Sequence, residues 1–188
     1  MKTFKPLMEL TTKITDGSHN PPKGIEFSEY LMLSSQNIHD ELTLKDVRYL
    51  SKEDFEMENR RTNIEDGDVL LTIVGTIGRT YVVKNGEKYT FQRSVGVIKP
   101  KQDILNGVFL STYLKTPQAI VQLEASGHGT SQKGIYLNDI KKLIVPIVDI
   151  ALQNEFAEFV KLIDKSKFVC QFIQGTFYAK YARFRPPP

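Results

Sequence analysis

The sequence predicts a mixed α/β domain followed by one long helix. Between Gly67 and Pro100, three β-type runs are separated by turn residues, and helical patterns flank this region. After Asp149 the apolar residues change to a regular helical repeat. The 188 residues are enough for one domain with a core and an appendage. We therefore expect a domain over residues 1–148, a long helix over 149–183 and a tail over 184–188.

The central stretch predicts strands joined by tight turns. Residues 69–74 are almost wholly apolar, which is typical of a strand covered on both faces. Asn85 and Gly86 predict a turn because both tolerate positive φ, and Gly75 and Gly78 bracket a second tight connection. Polar groups on a rigid scaffold are typical of a recognition surface. Those at these turns are Thr76, Arg79, Gln92 and Arg93.

The N-terminal third alternates short extended pieces with loops. Residues 5–14 predict a strand leading to a turn. Residues 16–24 predict a loop, because glycine, asparagine and two prolines oppose regular structure. Residues 29–38 predict a strand that ends in polar side chains, and residues 42–49 predict another extended piece.

Helices are expected on both sides of the central strands, over residues 52–61, 104–115 and 118–125. Ser51 can cap the first helix, with Asp54 at its third position. Thr116 suits the N-cap of the third helix and Pro117 suits its first position, and Gly127 would end this helix.

The C-terminal part predicts a loop, a strand and the long helix. Residues 126–134 form a polar, glycine-rich loop, and residues 143–148 predict an edge strand because they contain Pro146. Asp149 can cap the helix. The apolar residues of this helix alternate spacings of four and three, which is a heptad seam and favours pairing with another helix. Further apolar residues widen the apolar stripe, so packing of the helix on its own domain is the alternative. The seam positions are Leu152, Phe156, Phe159, Ile163, Ser166, Cys170, Ile173 and Phe177.

Charge and composition narrow the function classes. Basic residues dominate positions 79–101 and acidic residues dominate positions 40–68, although the net charge is only +3. The basic stretch predicts a footprint for phosphates, or simply a solvated face. No apolar run is long enough to span a membrane, and no signal peptide begins the chain. The single cysteine, Cys170, excludes an internal disulfide and fits a reducing cytoplasm.

Three sequence patterns are candidates for catalysis or for cofactor or metal binding. The run Asn20-Pro-Pro-Lys23 resembles the Asn-Pro-Pro-aromatic motif of amino-methyltransferases, but a lysine replaces the aromatic residue and no glycine-rich cofactor turn is present. Ser18 and His19 join these residues as possible ligand contacts.

The second motif has the glycine spacing of a P-loop between Gly129 and Gly134. Ile135 and Tyr136 follow it instead of the phosphate-binding lysine and the hydroxyl residue, so a nucleotide site is not expected. Its amides, with Thr130 and Lys133, could instead hold a nucleic-acid phosphate; a plain connection is the alternative.

The third pattern is the set of histidines, His19, His39 and His128, which lack the spacing of a zinc site. We expect no metal and no cofactor in this chain.

Taken in order, these segments resemble the specificity (S) subunit of type I restriction–modification systems. The resemblance covers nearly the whole chain, and each piece is weak alone, whereas their order and spacing are specific. The matching runs are Ile14-Thr-Asp-Gly-Ser-His-Asn-Pro-Pro-Lys-Gly24, Gly67-Asp-Val-Leu-Leu-Thr-Ile-Val-Gly-Thr-Ile-Gly-Arg79, Gln92-Arg-Ser-Val95, Gly127-His-Gly-Thr-Ser-Gln-Lys-Gly-Ile-Tyr136, and Leu143-Ile-Val-Pro-Ile147 followed by Gln153.

The resemblance implies a non-catalytic target recognition domain with a curved, mostly antiparallel sheet, followed by a conserved helix. The usual S subunit carries two such units, and its helices pair as a ruler between two DNA half-sites. This chain has one unit and resembles a half subunit, either natural or a fragment. Because a lone helix needs a partner, the resemblance implies a homodimer through the C-terminal helix and a palindromic, bipartite target. The implied partners are double-stranded DNA, a modification subunit that brings S-adenosylmethionine, and a restriction subunit that uses ATP and Mg²⁺.

Groove chemistry then supplies candidate DNA contacts. Amides suit adenine, whereas arginine and lysine suit guanine or phosphate, and Tyr136 and Thr76 could position the backbone or touch a thymine methyl. The expected contacts are Ser18, His19, Asn20, Lys23, Gln36, Asn37, Thr76, Arg79, Gln92, Arg93, His128, Thr130, Ser131, Gln132, Lys133 and Tyr136.

Other function classes remain open from the residues alone. A small hydrolase could use acids of positions 40–68, and a coiled-coil assembly protein could carry the seam with loops that are merely surface. A third alternative is the recognition domain of a fused restriction–methylation enzyme.

Overall fold

The computed structural model describes the backbone of residues 3–128 and 134–181, with side chains for residues 3–127 and 134–166. The strands are β1 Thr3–Pro6, β2 Thr11–Asp16, β3 Leu31–Leu33, β4 Arg48–Tyr49, β5 Val69–Thr72, β6 Thr80–Val82, β7 Tyr89–Phe91, β8 Val95–Pro100, β9 Gly127–His128, β10 Gly134–Ile135 and β11 Ile144–Ile147. The helices are α1 Lys52–Thr62, α2 Gly107–Leu114, α3 Pro117–Ala125, α4 Leu137–Lys142 and α5 Ile150–Tyr181.

The central sheet has the strand order β2-β8-β5-β6 and is antiparallel throughout. A second sheet has the order β4-β3-β7, in which β3 and β7 run parallel. Short antiparallel pairs join β1 to β11 and β9 to β10. The fold is therefore the mixed α/β type expected from the sequence, with mainly antiparallel pairing.

Strand β5 lies between two layers of the core. Leu70 packs with Phe91 and Leu33 of the second sheet, whereas Leu71 packs with Leu110 and other residues of the helical layer. Successive side chains of a strand point to opposite faces, so a strand covered twice must be apolar at every position. The prediction for residues 69–74 is confirmed, although the strand ends at Thr72.

Capping side chains set the helix starts. The Ser51 hydroxyl accepts from the Asp54 N–H, and Thr116 caps α3 with Pro117 at its first position, as predicted. The helix expected over residues 104–115 begins later, because the Asn106 side chain accepts from the Val108 and Phe109 amides and makes Asn106 the N-cap.

Several predicted elements differ from the structure. The strand expected over residues 5–14 is two strands in different sheets, separated by a 3-10 turn at Leu7–Glu9 that buries Leu7. Helix α4 was missed within a polar segment. Gly127 directly follows Ser126, the C-cap of α3, but its φ is not positive, so it begins β9 instead of forming a left-handed cap.

Helix α5 is anchored at its beginning. Asp149 Oδ1 accepts from the Ala151 N–H at 2.9 Å, which confirms the predicted cap. Phe156 packs edge-on against Phe109 of α2 with ring centroids 6.0 Å apart. Within the described ranges, none of the helices combines the length and apolarity needed to cross a lipid bilayer.

Candidate nucleic-acid interface

Both sheets end at one edge of the molecule. Asp16 at the end of β2 pairs with Gly96, which also pairs with Leu71 near the end of β5. In the second sheet, Leu33 and Phe91 end β3 and β7 side by side. The loops that follow these strands therefore meet, and we call this surface the loop edge: residues 17–20, 34–37, 73–79 and 92–94.

Backbone hydrogen bonds join the first loops of the loop edge. The Ser18 N–H donates to the Phe91 carbonyl at 2.7 Å, and the Arg93 N–H donates to the Ser18 carbonyl at 2.9 Å. The Gln92 N–H donates to the Leu33 carbonyl at 2.8 Å. Loops from three distant parts of the sequence thus share one backbone network.

The same network continues through Ser94. Its hydroxyl accepts from the Ser35 N–H at 3.0 Å, and its carbonyl accepts from the Ile73 N–H at 2.9 Å. The Ile73 carbonyl in turn accepts from the Ile135 N–H at 2.9 Å, at the base of the β9–β10 pair. The loop edge is therefore a fixed scaffold, as recognition surfaces usually are.

Glycines allow the loops to approach this closely. A Cβ on Gly17 would lie 2.1 Å from the Phe91 carbonyl oxygen, so only glycine fits between β2 and β7. Gly75 and Gly78 have φ of +81° and +92°, which glycine adopts without strain. The tight connection predicted at these two residues is confirmed.

Many of the expected DNA contacts are exposed on or beside this surface. Arg79 and Gln92 are half-buried, and the exposed members are His19, Asn20, Lys23, Gln36, Thr76, Arg93 and Tyr136. Lys23 lies further along its loop, which is fastened to β4 by a 2.8 Å hydrogen bond from Arg48 Nη1 to the Pro22 carbonyl.

Asn37 and Ser18 differ from the expectation that they face a ligand. Asn37 is only 3% exposed; its Oδ1 accepts from the Ser34 N–H at 2.9 Å, and its Nδ2 donates to the Thr43 and Lys45 carbonyls. Ser18 is buried between β2 and β7. Burial keeps both side chains away from a base edge in this conformation. Their role in this structure is therefore to hold the loops in shape.

Other expected contacts lie outside the described residues. These are Thr130, Ser131, Gln132 and Lys133, together with the side chain of His128. The side chains of Cys170, Ile173 and Phe177 on the predicted seam are also outside them, although their backbone belongs to α5.

Acidic residues gather at the opposite end of the central sheet. Asp68 directly precedes β5 and is 3% exposed. Its Oδ2 accepts from Lys99 Nζ at 2.6 Å and from the Glu65 N–H at 2.8 Å. Burial raises the pKa of the Asp68 carboxyl above its usual range, and the hydrogen bond from Lys99 offsets part of this effect. Within residues 3–127 and 134–166, no three acidic, histidine or cysteine side chains converge as a metal site.

A second set of contacts at the loop edge was not predicted. Arg61 on α1 donates from Nη2 to the Asp16 carboxylate and from Nε to the Asp16 carbonyl at 2.8 Å. His19 Nε2 lies 2.7 Å from the other carboxylate oxygen. Arg61 and Asp16 are 45 positions apart, so no local spacing could have revealed their contact.

The apolar seam of α5 is partly exposed. Leu152, Phe159 and Ile163 are 55%, 60% and 38% exposed, and Leu162 beside them is 60% exposed. Phe156 instead packs within the domain. The described part of α5 therefore carries an apolar face that its own domain leaves open.

Comparison with known proteins agrees with this architecture. The family model described as "Type I restriction modification DNA specificity domain" matches residues 30–169. The chain is 31% identical over 121 residues to the specificity subunit of the type I restriction enzyme EcoBI from Escherichia coli. That match covers 64% of this chain and only 25% of the relative.

Solved structures share the fold at low sequence identity. A chain from a structure of type I restriction–modification complex assembly and conformational transition has a TM-score of 0.65 and 17% identity, covering 97% of this chain and 43% of that one. The S subunit from M. genitalium gives 0.63 and 15%, covering 88% and 39%. The HsdS subunit from Thermoanaerobacter tengcongensis gives 0.62 and 16%, covering 92% and 40%. Since the family model spans most of the chain, the protein belongs to the family of type I restriction–modification DNA specificity domains.

Proposed function

We propose that this chain reads DNA sequence for a type I restriction–modification system and itself performs no catalysis. The observation that carries the proposal is the loop edge, where loops from both sheets meet on one hydrogen-bonded scaffold and expose polar and cationic side chains. Such groups match the donors and acceptors of the major groove and the phosphates beside it. Residues 1–148 would form the recognition unit.

Arg93 is the most direct test of this surface. It is exposed, follows the β7 strand end, and has its backbone fixed by Ser18. If Arg93 holds a phosphate, Arg93→Ala weakens binding to all sequences. It also lowers by about 1 the salt slope, which is the slope of log affinity against log salt concentration. If Arg93 reads guanine, Arg93→Ala instead relaxes the base preference at one target position.

The experiment is selection of a randomised duplex library by the purified protein, with and without a modification subunit, followed by binding titrations. The matched control is Lys88→Ala, which removes an exposed cation from the β6–β7 turn at the far end of the strands. We expect sequence enrichment for the wild type, a loss for Arg93→Ala and little change for Lys88→Ala. Equal behaviour of both variants would contradict the placement of DNA on the loop edge.

We further propose that α5 pairs with α5 of a second copy, residues 149–183 acting as the spacing helix. The support is the open apolar face of α5, which consists of Leu152, Phe159, Leu162 and Ile163. An isologous pair would present two identical recognition units and so read an inverted, bipartite target.

Phe159→Glu tests the pairing, because it places a charge on the apolar face. We expect a dimer for the wild type and a monomer for Phe159→Glu by light scattering, with selection of one half-site instead of two. Lys165→Glu, at an exposed position on another side of α5, is the control and should remain dimeric. A monomeric wild type would refute the proposed dimer but not the proposed recognition unit.

The remaining partners follow from the same proposal. A modification subunit would bring S-adenosylmethionine and a restriction subunit would use ATP and Mg²⁺, with the assembly acting on DNA in the cytoplasm. Co-purification with a modification subunit, followed by transfer of methyl groups to the selected target, tests this part.

A further inference from the structure

The carboxylate of Asp16, the last residue of β2, is buried beside the loop edge, and both of its oxygens have a partner. Its side chain is 8% exposed, with Arg61 Nη2 on Oδ1 and His19 Nε2 at 2.7 Å from Oδ2. A buried carboxylate is stable when such partners satisfy its charge. Asp16 therefore links the helix α1 to the loop that carries His19.

Arg61 holds Asp16 in a way that few side chains can. Its guanidinium spans the carboxylate and the main-chain carbonyl of Asp16, because the planar fork offers parallel donors. The Arg61 carbonyl also accepts from Lys13 Nζ at 2.6 Å, so the end of α1 is tied to β2 as well. Lysine carries the same charge but lacks the fork.

The contact with Asp16 also determines which ring nitrogen of His19 carries a proton. An ionised carboxylate only accepts hydrogen bonds, so the His19 Nε2 must be the donor. In the neutral ring Nδ1 is then an acceptor, and no described residue bonds to it. Because the His19 side chain is 55% exposed, Nδ1 is available to a ligand at the loop edge.

We propose that Asp16 and Arg61 position His19 so that its Nδ1 accepts a hydrogen bond from the exocyclic amine of an adenine or cytosine in the target. This inference rests on the proposed DNA-reading function. In the major groove these amines, adenine N6 and cytosine N4, are the donors that an acceptor nitrogen recognises. His19 is then a specificity-determining residue, and Arg61 is a positioning residue that acts through Asp16.

The test uses the target selected by the wild-type protein and a series of duplexes with one amine removed at a time, for example purine in place of adenine. Wild type should lose about 2- to 12-fold in affinity at one amine, as expected for one hydrogen bond. His19→Ala should bind the duplexes with and without that amine equally. Arg61→Ala and Arg61→Lys should reduce the discrimination at the same amine and leave the salt slope unchanged.

Two comparisons separate positioning from other roles. The double variant H19A/R61A should show no further loss at that amine beyond H19A, because both act on one contact. Arg60→Ala removes the neighbouring exposed arginine of α1, whereas the hydrogen bonds described for the Asp16 side chain go to Arg61 and His19, so this variant should keep full discrimination. Thermal melts of every variant check folding, and Arg61→Lys gives a milder change if Arg61→Ala unfolds.

Each contrary result overturns a defined part. Uniform weakening with a salt slope lowered by about 1 in Arg61→Ala would make Arg61 a phosphate contact instead. Unchanged discrimination in His19→Ala, with wild type still selecting a target, would refute this inference but keep the proposed function. A wild type that selects no sequence would refute both.

Discussion

Gln153 connects α5 to the recognition unit through three buried hydrogen bonds. It is fully buried, its Oε1 accepts from the Asn106 N–H at 3.0 Å, and its Nε2 donates to the Ile104 and Val148 carbonyls at 3.0 and 2.9 Å. One side chain thus joins the first turns of α5 to the cap of α2 and to the residue after β11.

The Gln153→Ala change removes all three bonds and leaves one amide and two carbonyls without their partner. A net contribution of about 1 kcal/mol per bond gives a loss of about 3 kcal/mol in the free energy of unfolding. Surface substitutions usually change this quantity by less than about 0.5 kcal/mol. The expected effect is therefore well outside the range of an ordinary change on a helix.

The assay is equilibrium urea unfolding followed by far-UV circular dichroism. All variants are compared at one protein concentration, because any self-association makes the apparent free energy of unfolding depend on concentration. Asn154→Ala is the matched control: it is the next residue, exposed, with one bond from Asn106 Nδ2 at 2.8 Å, and should cost about 1 kcal/mol or less. Amide exchange at Asn106 should accelerate in Gln153→Ala. Equal losses for the two variants would refute the reasoning.

Three further predictions concern the recognition unit. Asn37→Ala should lower the free energy of unfolding by about 2–3 kcal/mol because it removes buried bonds, whereas exposed Gln36→Ala should change it by less than about 0.5 kcal/mol in thermal melts. Gly17→Ala should lower the melting temperature and relax the first loop, since its Cβ would overlap the Phe91 carbonyl. Burial raises the pKa of the Asp68 carboxyl in the folded protein. The free energy of unfolding should therefore fall as pH rises above the unfolded-state pKa of about 4, because the folded protein holds the proton more tightly. Asp68→Asn should remove this slope, and melts from pH 3.5 to 7 would show no difference in slope if the carboxyl is not perturbed.

Local chemistry explains which elements were predictable. The double burial of β5, the caps Ser51 and Thr116 and the turn at Asn85 each depend on a few adjacent residues, and the structure has all of them. Helix α4 was missed because its six residues span less than two turns and bury only Ile140. The parallel pairing of β3 with β7 joins segments far apart in the chain, so no local pattern could predict it.

The candidate site shows the same division. Thr76, Arg79, Gln92 and Arg93 were predicted at turns, and their loops meet in the structure because loops that follow neighbouring strand ends lie at one edge. Asn37 looked like a reader from its position, yet its amide bonds to the Ser34 amide and to the Thr43 and Lys45 carbonyls, which lie further along the same segment. The contact between Asp16 and Arg61 depends on where α1 packs, which is a property of the whole fold.

A continuous set of contacts connects α5 to the loop edge. Gln153 holds Asn106, the cap of α2; further along α2, the Ser111 hydroxyl lies 2.8 Å from that of Thr80 in β6, which directly follows Arg79. If α5 pairs in a dimer, this route fixes the distance between the two recognition units, and so the number of base pairs between half-sites.

Weakening the route should therefore loosen the spacing without altering what each unit reads. We expect Gln153→Ala, selected on the same library at a temperature where it remains folded, to enrich the wild-type half-site at several separations instead of one. Arg93→Ala should show the reverse, with changed half-site preference or affinity at the original separation. If Gln153→Ala still selected a single half-site separation, helix pairing alone would set the spacing. The buried Gln153 amide would then contribute to stability without fixing the position of the domain relative to α5.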